Sequence, residues 1–261
     1  MRQLFCTSLI LAINVFLVSF SYAADIRVIT SGAFAEALKD LVPLYEKQSP
    51  NKVMISYGSS MGAAPDSIPS RLAKGERFDV LILASPALEG FIKSGELQPG
   101  TRVDLVASVM GAVVKAGAPK PDISTMNGLK SALLDAKSVA YSASASGVYL
   151  STELFPKMGI SEQMNKTARK IYSERVASVV ARGEADLGFQ QVSELLPIPG
   201  VEFIGELPPE AQKTVLFSAG ITSDTKNINA SKDLIVFLAS TKAVDIIQKA
   251  GLKPVLPTIS W

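Results

Sequence analysis

Three short stretches put serine and glycine where a chain can hold an anion: "ITSGAF", "YGSSMG" and "YSASASG". Each follows an apolar, β-branched run and precedes a helical pattern, so each offers hydroxyls, free backbone N–H groups and the positive end of a helix dipole. That positive end is worth a few tenths to about 1 kcal/mol to an anion. A single turn of this kind is ordinary helix capping, because serine is a favoured N-cap and glycine a favoured turn residue. Recurrence at three strand ends is what points to a shared cradle.

The same stretches allow a serine nucleophile only if something activates it. The 261 residues contain no histidine, so a Ser-His-Asp triad is excluded. The "YSASASG" stretch also lacks the Gly-x-Ser-x-Gly elbow. The single cysteine, Cys6, lies in an N-terminal stretch where Arg2 precedes an apolar run from Leu4 to Phe20 and then "SYA". That pattern predicts a secretory signal peptide over residues 1–23, cleaved before Ala24. The mature chain would carry no thiol and none of the usual His-built metal sites, and the expected sets of cofactors and metal ligands are both empty. The expected location is the periplasm of a Gram-negative host.

Other residues carry polar chemistry near these turns. Arg71, Arg77 and Arg175 are candidates for bidentate carboxylate binding, against the commoner fate of a solvated arginine. Gln190 and Gln191 end an apolar strand, where at least one amide should face a buried polar ligand. Tyr141, Tyr149, Tyr172, Glu153 and Glu174 are acid/base candidates by sequence proximity, although packing or exposure is the usual role of each type.

The elements that must position these groups alternate along the whole chain. "DIRVIT", "NKVMISYG" and "RFDVLILAS" read as strands, with helices over "AFAEALKDLVPLYEKQ" and "IPSRLAKGE" between them. A second set starts near Val109 with "VMGAVVKAG", "KSVAYS" and "ADLGFQQ" as strands. Alternation of this kind predicts an α/β fold with mainly parallel sheets flanked by helices, and ligands at the carboxyl ends of the strands. Apolar residues make up 48% of the chain and the net charge is only +2, so a nucleic-acid partner has no electrostatic support.

With these residues in view, the order of elements and the serine turns resemble the periplasmic solute-binding proteins of the molybdate-binding class. The resemblance covers nearly all of the mature chain. It implies two α/β lobes, one from residues 24–107 plus 215–261 and the other from 108–214, with a small anion in the cleft between them. It maps ligand contacts onto Ser31 and Gly32, Ser59 or Ser60, the turn of Ser144, Ser146 and Gly147, Ser173, and Gln191. The chain departs from the class at "SGAF", where molybdate binders usually carry Ala-Ser-Leu, and at Gln191, where tyrosine is common. It also carries "MGAAPDSIP" before Arg71. These departures imply a different and larger anion, with Arg71 as a clamp for a distal carboxylate.

"YSASASGVYLSTELFPKMGI" and "GFQQVSELLPIPGVEF" are similar to a branch of the class that includes aconitate isomerase. That branch implies a tricarboxylate ligand and an allylic proton shift needing neither metal nor redox cofactor, with Tyr149, Glu174 and Tyr141 as candidates for the proton-moving group. The alternative is a binding protein that delivers molybdate or another oxyanion to a membrane transporter.

Overall fold

The computed structural model describes residues 23–259 and Trp261; the expected signal segment, but for its last residue, lies outside them. Strands β1 (Asp25–Thr30), β2 (Lys52–Tyr57), β3 (Val80–Ala84), β4 (Val103–Ser108), β10 (Val215–Ile221) and β11 (Lys253–Pro254) form one sheet, in the order β11-β4-β10-β3-β1-β2. Strands β5 (Met110–Lys115), β6 (Val139–Ser142), β7 (Ala168–Ile171), β8 (Leu187–Gln191) and β9 (Val201–Glu206) form the other, in the order β7-β6-β8-β5-β9. The first sheet therefore takes strands from both ends of the chain and the second from its middle.

Helices α1 (Gly32–Gln48), α2 (Ile68–Ala73) and α3 (Ser85–Lys93) belong to the first lobe, and α4 (Met126–Asp135), α5 (Ala145–Tyr149), α6 (Phe155–Lys157), α7 (Ser161–Thr167), α8 (Val176–Ala181) and α9 (Val192–Leu195) to the second. The C-terminal α10 (Ile228–Leu238) and α11 (Val244–Lys249) return to the first sheet. A π-helical turn, Leu150–Leu154, joins α5 to α6. No helix among the described residues is long and apolar enough to cross a membrane.

The inner strands of both sheets are buried on both faces, as strands between helical layers must be. Along β3, Val80, Ile82 and Ala84 pack with Phe34, Leu38 and Leu41 of α1, while Leu81 and Leu83 face Ile29, Ile68 and Phe78 on the other side. In the second lobe Ala112 and Val114 meet Phe155 and Met158, whereas Val113 meets Val176 and Val180. Each large side chain so buried contributes about 1.5–3 kcal/mol.

The sheets are mixed, not mainly parallel. β1 runs parallel to β2 and β3, and β6 parallel to β7 and β8. β10 is antiparallel to both β3 and β4, and β5 is antiparallel to both β8 and β9. An apolar run records that a strand is buried but not which way it points, so the sequence pattern carries no sign of these reversals.

Candidate functional site

The carboxyl ends of β1, β2, β6, β7 and β8 converge on one cleft of about 490 Å³ between the two sheets. These are strands of the parallel part of each sheet, so the helices that follow β1, β6, β7 and β8 all start at the cleft. Ser31, Gly32, Ser59, Ser60, Ser144, Ser146, Ser173 and Gln191 all line it, as does Glu174.

Two of the serines stand at N-cap positions without capping. Ser31 precedes α1 and Ser144 precedes α5, and neither side chain bonds its helix. At two other helix starts a hydroxyl does cap: the Ser67 hydroxyl accepts from Ser70 N and the Thr125 hydroxyl from Gly128 N. The Ser31 hydroxyl is buried with no partner among the described residues, and so is Nε2 of Gln191. A buried polar atom left in that state costs about 1–3 kcal/mol, so two on one cleft mark a place where another molecule supplies the partner. Gln191 is fixed by its other atom, since Oε1 accepts from Ser108 Oγ at 2.7 Å.

Ser59 and Ser60 are partly spent. Gly58 to Gly62 does carry the Gly-x-Ser-x-Gly spacing of a nucleophile elbow. However, Ser60 Oγ accepts from Ala84 N at 3.0 Å and Ser59 Oγ donates to Met61 O at 2.9 Å, with no histidine in the chain to activate either. Ser173 Oγ donates across the cleft to Asp66 Oδ1 at 3.2 Å.

Six of the sequence-derived candidates lie outside the lining, among them Arg77, ion-paired with Asp224, and Glu153, ion-paired with Lys213. Arg71 is held by Glu76, at 2.6 Å through Nη2, and by the Tyr57 carbonyl at 2.9 Å through Nη1. Gly147 is there for packing, because a Cβ on it would fall 1.5 Å from the Ser142 carbonyl oxygen. Tyr149 donates to Ala211 O at 3.0 Å, and the Tyr141 ring packs edge-on to Phe155. Burial pushes both phenols above their ordinary range, which makes a phenolate base harder to form. Glu174 reaches the cleft but is paired with Arg182 at 2.9 Å.

The sequence reading missed Glu194. This residue sits on α9, in the first turn after Gln191, and its Oε1 accepts from Gln190 Nε2 at 2.9 Å. Gln190 is itself held by Val176 N, which donates to its Oε1 at 2.9 Å. Glu194 lines the cleft with no cation in ion-pair range among the described residues, and burial pushes its carboxyl up to about 7 against the pull of Arg175 and of the Gln190 bond. A carboxyl so tuned exchanges protons near neutrality.

The comparisons with known proteins agree with this architecture. A model of the bacterial extracellular solute-binding proteins matches residues 26–253. The chain belongs to that family. It is 44% identical over 230 residues to a protein of Pseudomonas sp. named aconitate isomerase, covering 88% of each chain. It is 26% identical to a molybdate-binding protein of Azotobacter vinelandii, over 88% of this chain and 90% of that one. The solved structure of the Azotobacter vinelandii periplasmic molybdate-binding protein superposes with a TM-score of 0.70 at 24% identity, covering 89% of this chain and all of that one.

The sequence carries one signal for Glu194. "GFQQVSE" places it three residues after the second glutamine, one turn into a helix that starts at the strand end. What the sequence does not show is that α9 packs against the start of α1, from the far end of the chain. A Cβ on Gly32 would lie 2.0 Å from Oε1 of Glu194.

Proposed function

We propose that this chain converts trans-aconitate to cis-aconitate by an allylic proton shift in the cleft between its two sheets. The observation that carries the reading is Glu194, a cleft carboxyl with no paired cation among the described residues and a proton affinity near neutrality. The 44% identity to an aconitate isomerase over 88% of both chains supports the same reaction class.

The chemistry follows from the placement. The Glu194 carboxylate takes a proton from the methylene carbon of the bound tricarboxylate, and the electron pair spreads through the double bond onto the flanking carboxylates. Ser31 Oγ, Gln191 Nε2 and the N–H groups that open α1 stabilise that charge as it grows. Protonated Glu194 returns a proton at the other end of the allylic unit, and the double bond moves one position with atoms and charge in balance. The N-terminal pattern supports export with cleavage before Ala24, which puts the reaction in the periplasm.

The test is incubation of the purified mature protein with trans-aconitate, read by ultraviolet absorbance and by NMR of the product. Conversion that is lost in Glu194→Gln supports the proposal; no conversion, with tight molybdate binding by calorimetry, sinks it. A second reading, a non-enzymatic binding protein for molybdate or another small oxyanion, is favoured by Ser31 Oγ and Gln191 Nε2, which can hold an anion without moving a proton. On that reading its partner is a membrane transporter.

A further inference from the structure

Among the described residues Arg175 is the one arginine that lines the cleft, and it stands at the N-cap of α8. Its Nη2 donates to Glu36 Oε1 at 2.7 Å, a bond that joins the second lobe to α1 of the first. Among the described residues this is the only side-chain bond that Arg175 makes, so most of its five N–H donors are unspent. Two other arginines paired with carboxylates are used far more fully. Arg71 donates through Nε, Nη1 and Nη2, and Arg182 through the same three nitrogens to Glu174 and Glu184.

Glu36 has somewhere else to go. Lys39, one turn along the same helix, lies 3.8 Å from its Oε2. Glu36 also follows Gly32 by four residues, so both face the cleft from one side of α1. The Arg175 charge acts on Glu194 as well, pulling its proton affinity down. One guanidinium thus stands between an exchangeable carboxylate and the proton-moving one. Its backbone is tied to the same network, because the next residue, Val176, donates to Gln190, and Gln190 donates to Glu194.

We propose that Arg175 selects for a ligand with an extended carboxylate, and that Glu36 occupies its guanidinium in the empty cleft until a substrate carboxylate takes that place and Glu36 turns to Lys39. This deepens the isomerase reading and rests on it. The exchange swaps one carboxylate for another on the same planar fork, so no charge is left buried and unpaired, and the incoming group gains the bidentate geometry that Glu36 does not use. A compact tetrahedral oxyanion held by Ser31 and Gln191 has no second arm to reach the arginine.

The experiment measures dissociation constants for trans-aconitate and for molybdate by calorimetry, with turnover alongside, in the wild type, Arg175→Lys and Glu36→Gln. Arg175→Lys keeps the charge but loses the fork, and it is expected to weaken trans-aconitate binding about tenfold or more, the scale of one charge-assisted bond, while molybdate affinity stays put. Glu36→Gln removes the competing carboxylate and is expected to tighten trans-aconitate binding. Equal losses for both anions in Arg175→Lys, or weaker trans-aconitate binding in Glu36→Gln, overturn the proposal. A wild type that binds molybdate but neither binds nor converts trans-aconitate overturns the isomerase reading, and this inference with it. Turnover with unchanged constants in Arg175→Lys overturns this inference alone.

Discussion

Gly32 and Glu194 meet across the cleft, one opening the first long helix of one lobe and the other on the short α9 of the second, so closely that a Cβ on Gly32 would have to displace the Glu194 carboxylate. Gly32 is not at a positive φ, and alanine at that helix position is conformationally acceptable. Its constraint is the Glu194 carboxylate itself. The Gly32→Ala variant is therefore expected to keep its melting temperature and to lose most of its turnover, because the methyl group moves the carboxylate off the helix start. A parallel loss of melting temperature would show that Gly32 serves packing alone.

The pH dependence has a definite sign. Turnover requires ionised Glu194, so kcat/KM should fall as pH drops through about 7. Stability runs the other way. The carboxyl binds its proton more tightly folded than unfolded, so the contribution is present below pH 4.5 and is lost as pH rises through about 7. The loss above pH 7 is bounded at about 3 kcal/mol, less what solvent screens. Glu194→Gln should accordingly melt higher than the wild type at pH 8 and level with it at pH 4, as scanning calorimetry would show. A variant less stable than the wild type at pH 8 contradicts the burial argument.

Ser31→Ala separates binding from capping. The Ser31 hydroxyl caps nothing, so its loss should leave the melting temperature nearly unchanged and weaken ligand binding by about tenfold, one hydrogen bond to a charged group. Ser67→Ala is the control, because that hydroxyl accepts from Ser70 N, and its loss should cost about 1 kcal/mol of stability with no change in affinity.

Gln191→Met removes the amide whose nitrogen is buried without a partner among the described residues and whose oxygen accepts from Ser108. Both affinity and stability should fall, stability by about 1–3 kcal/mol from the stranded Ser108 hydroxyl. Ser108→Ala removes the same bond without touching the ligand donor. Equal affinity loss in both variants, measured by calorimetry, would assign Gln191 to support of the strand junction and not to the ligand.

Much of the cleft was legible because its parts are local. A serine turn between an apolar run and a helical pattern is written within about ten residues, and Ser31, Ser60, Ser144 and Ser146 all reached the cleft on that basis. Arg71 shows the limit of the same reasoning: it follows the second turn closely, but Glu76, five residues on, holds it outside the lining. Glu194 and Arg175 depend on meetings between distant segments, α9 against Gly32 and α8 against Glu36, which no spacing in the chain encodes. The edge strands β7 and β9 were also unread. "ARKI" turns Arg169 and Lys170 to solvent, and only pairing with β6 makes it a strand.

The idle caps of α1 and α5 have a further consequence for motion. A helix start without its cap opens more readily than one that is capped, by about 1 kcal/mol at each site. In the empty protein the backbone amides just past Ser31 and Ser144 should exchange with solvent deuterium faster than those past Ser67 and Thr125, and a bound anion should slow the first pair while leaving the second alone. The ligand is in this sense the missing end of two helices, and the protein finishes folding around it.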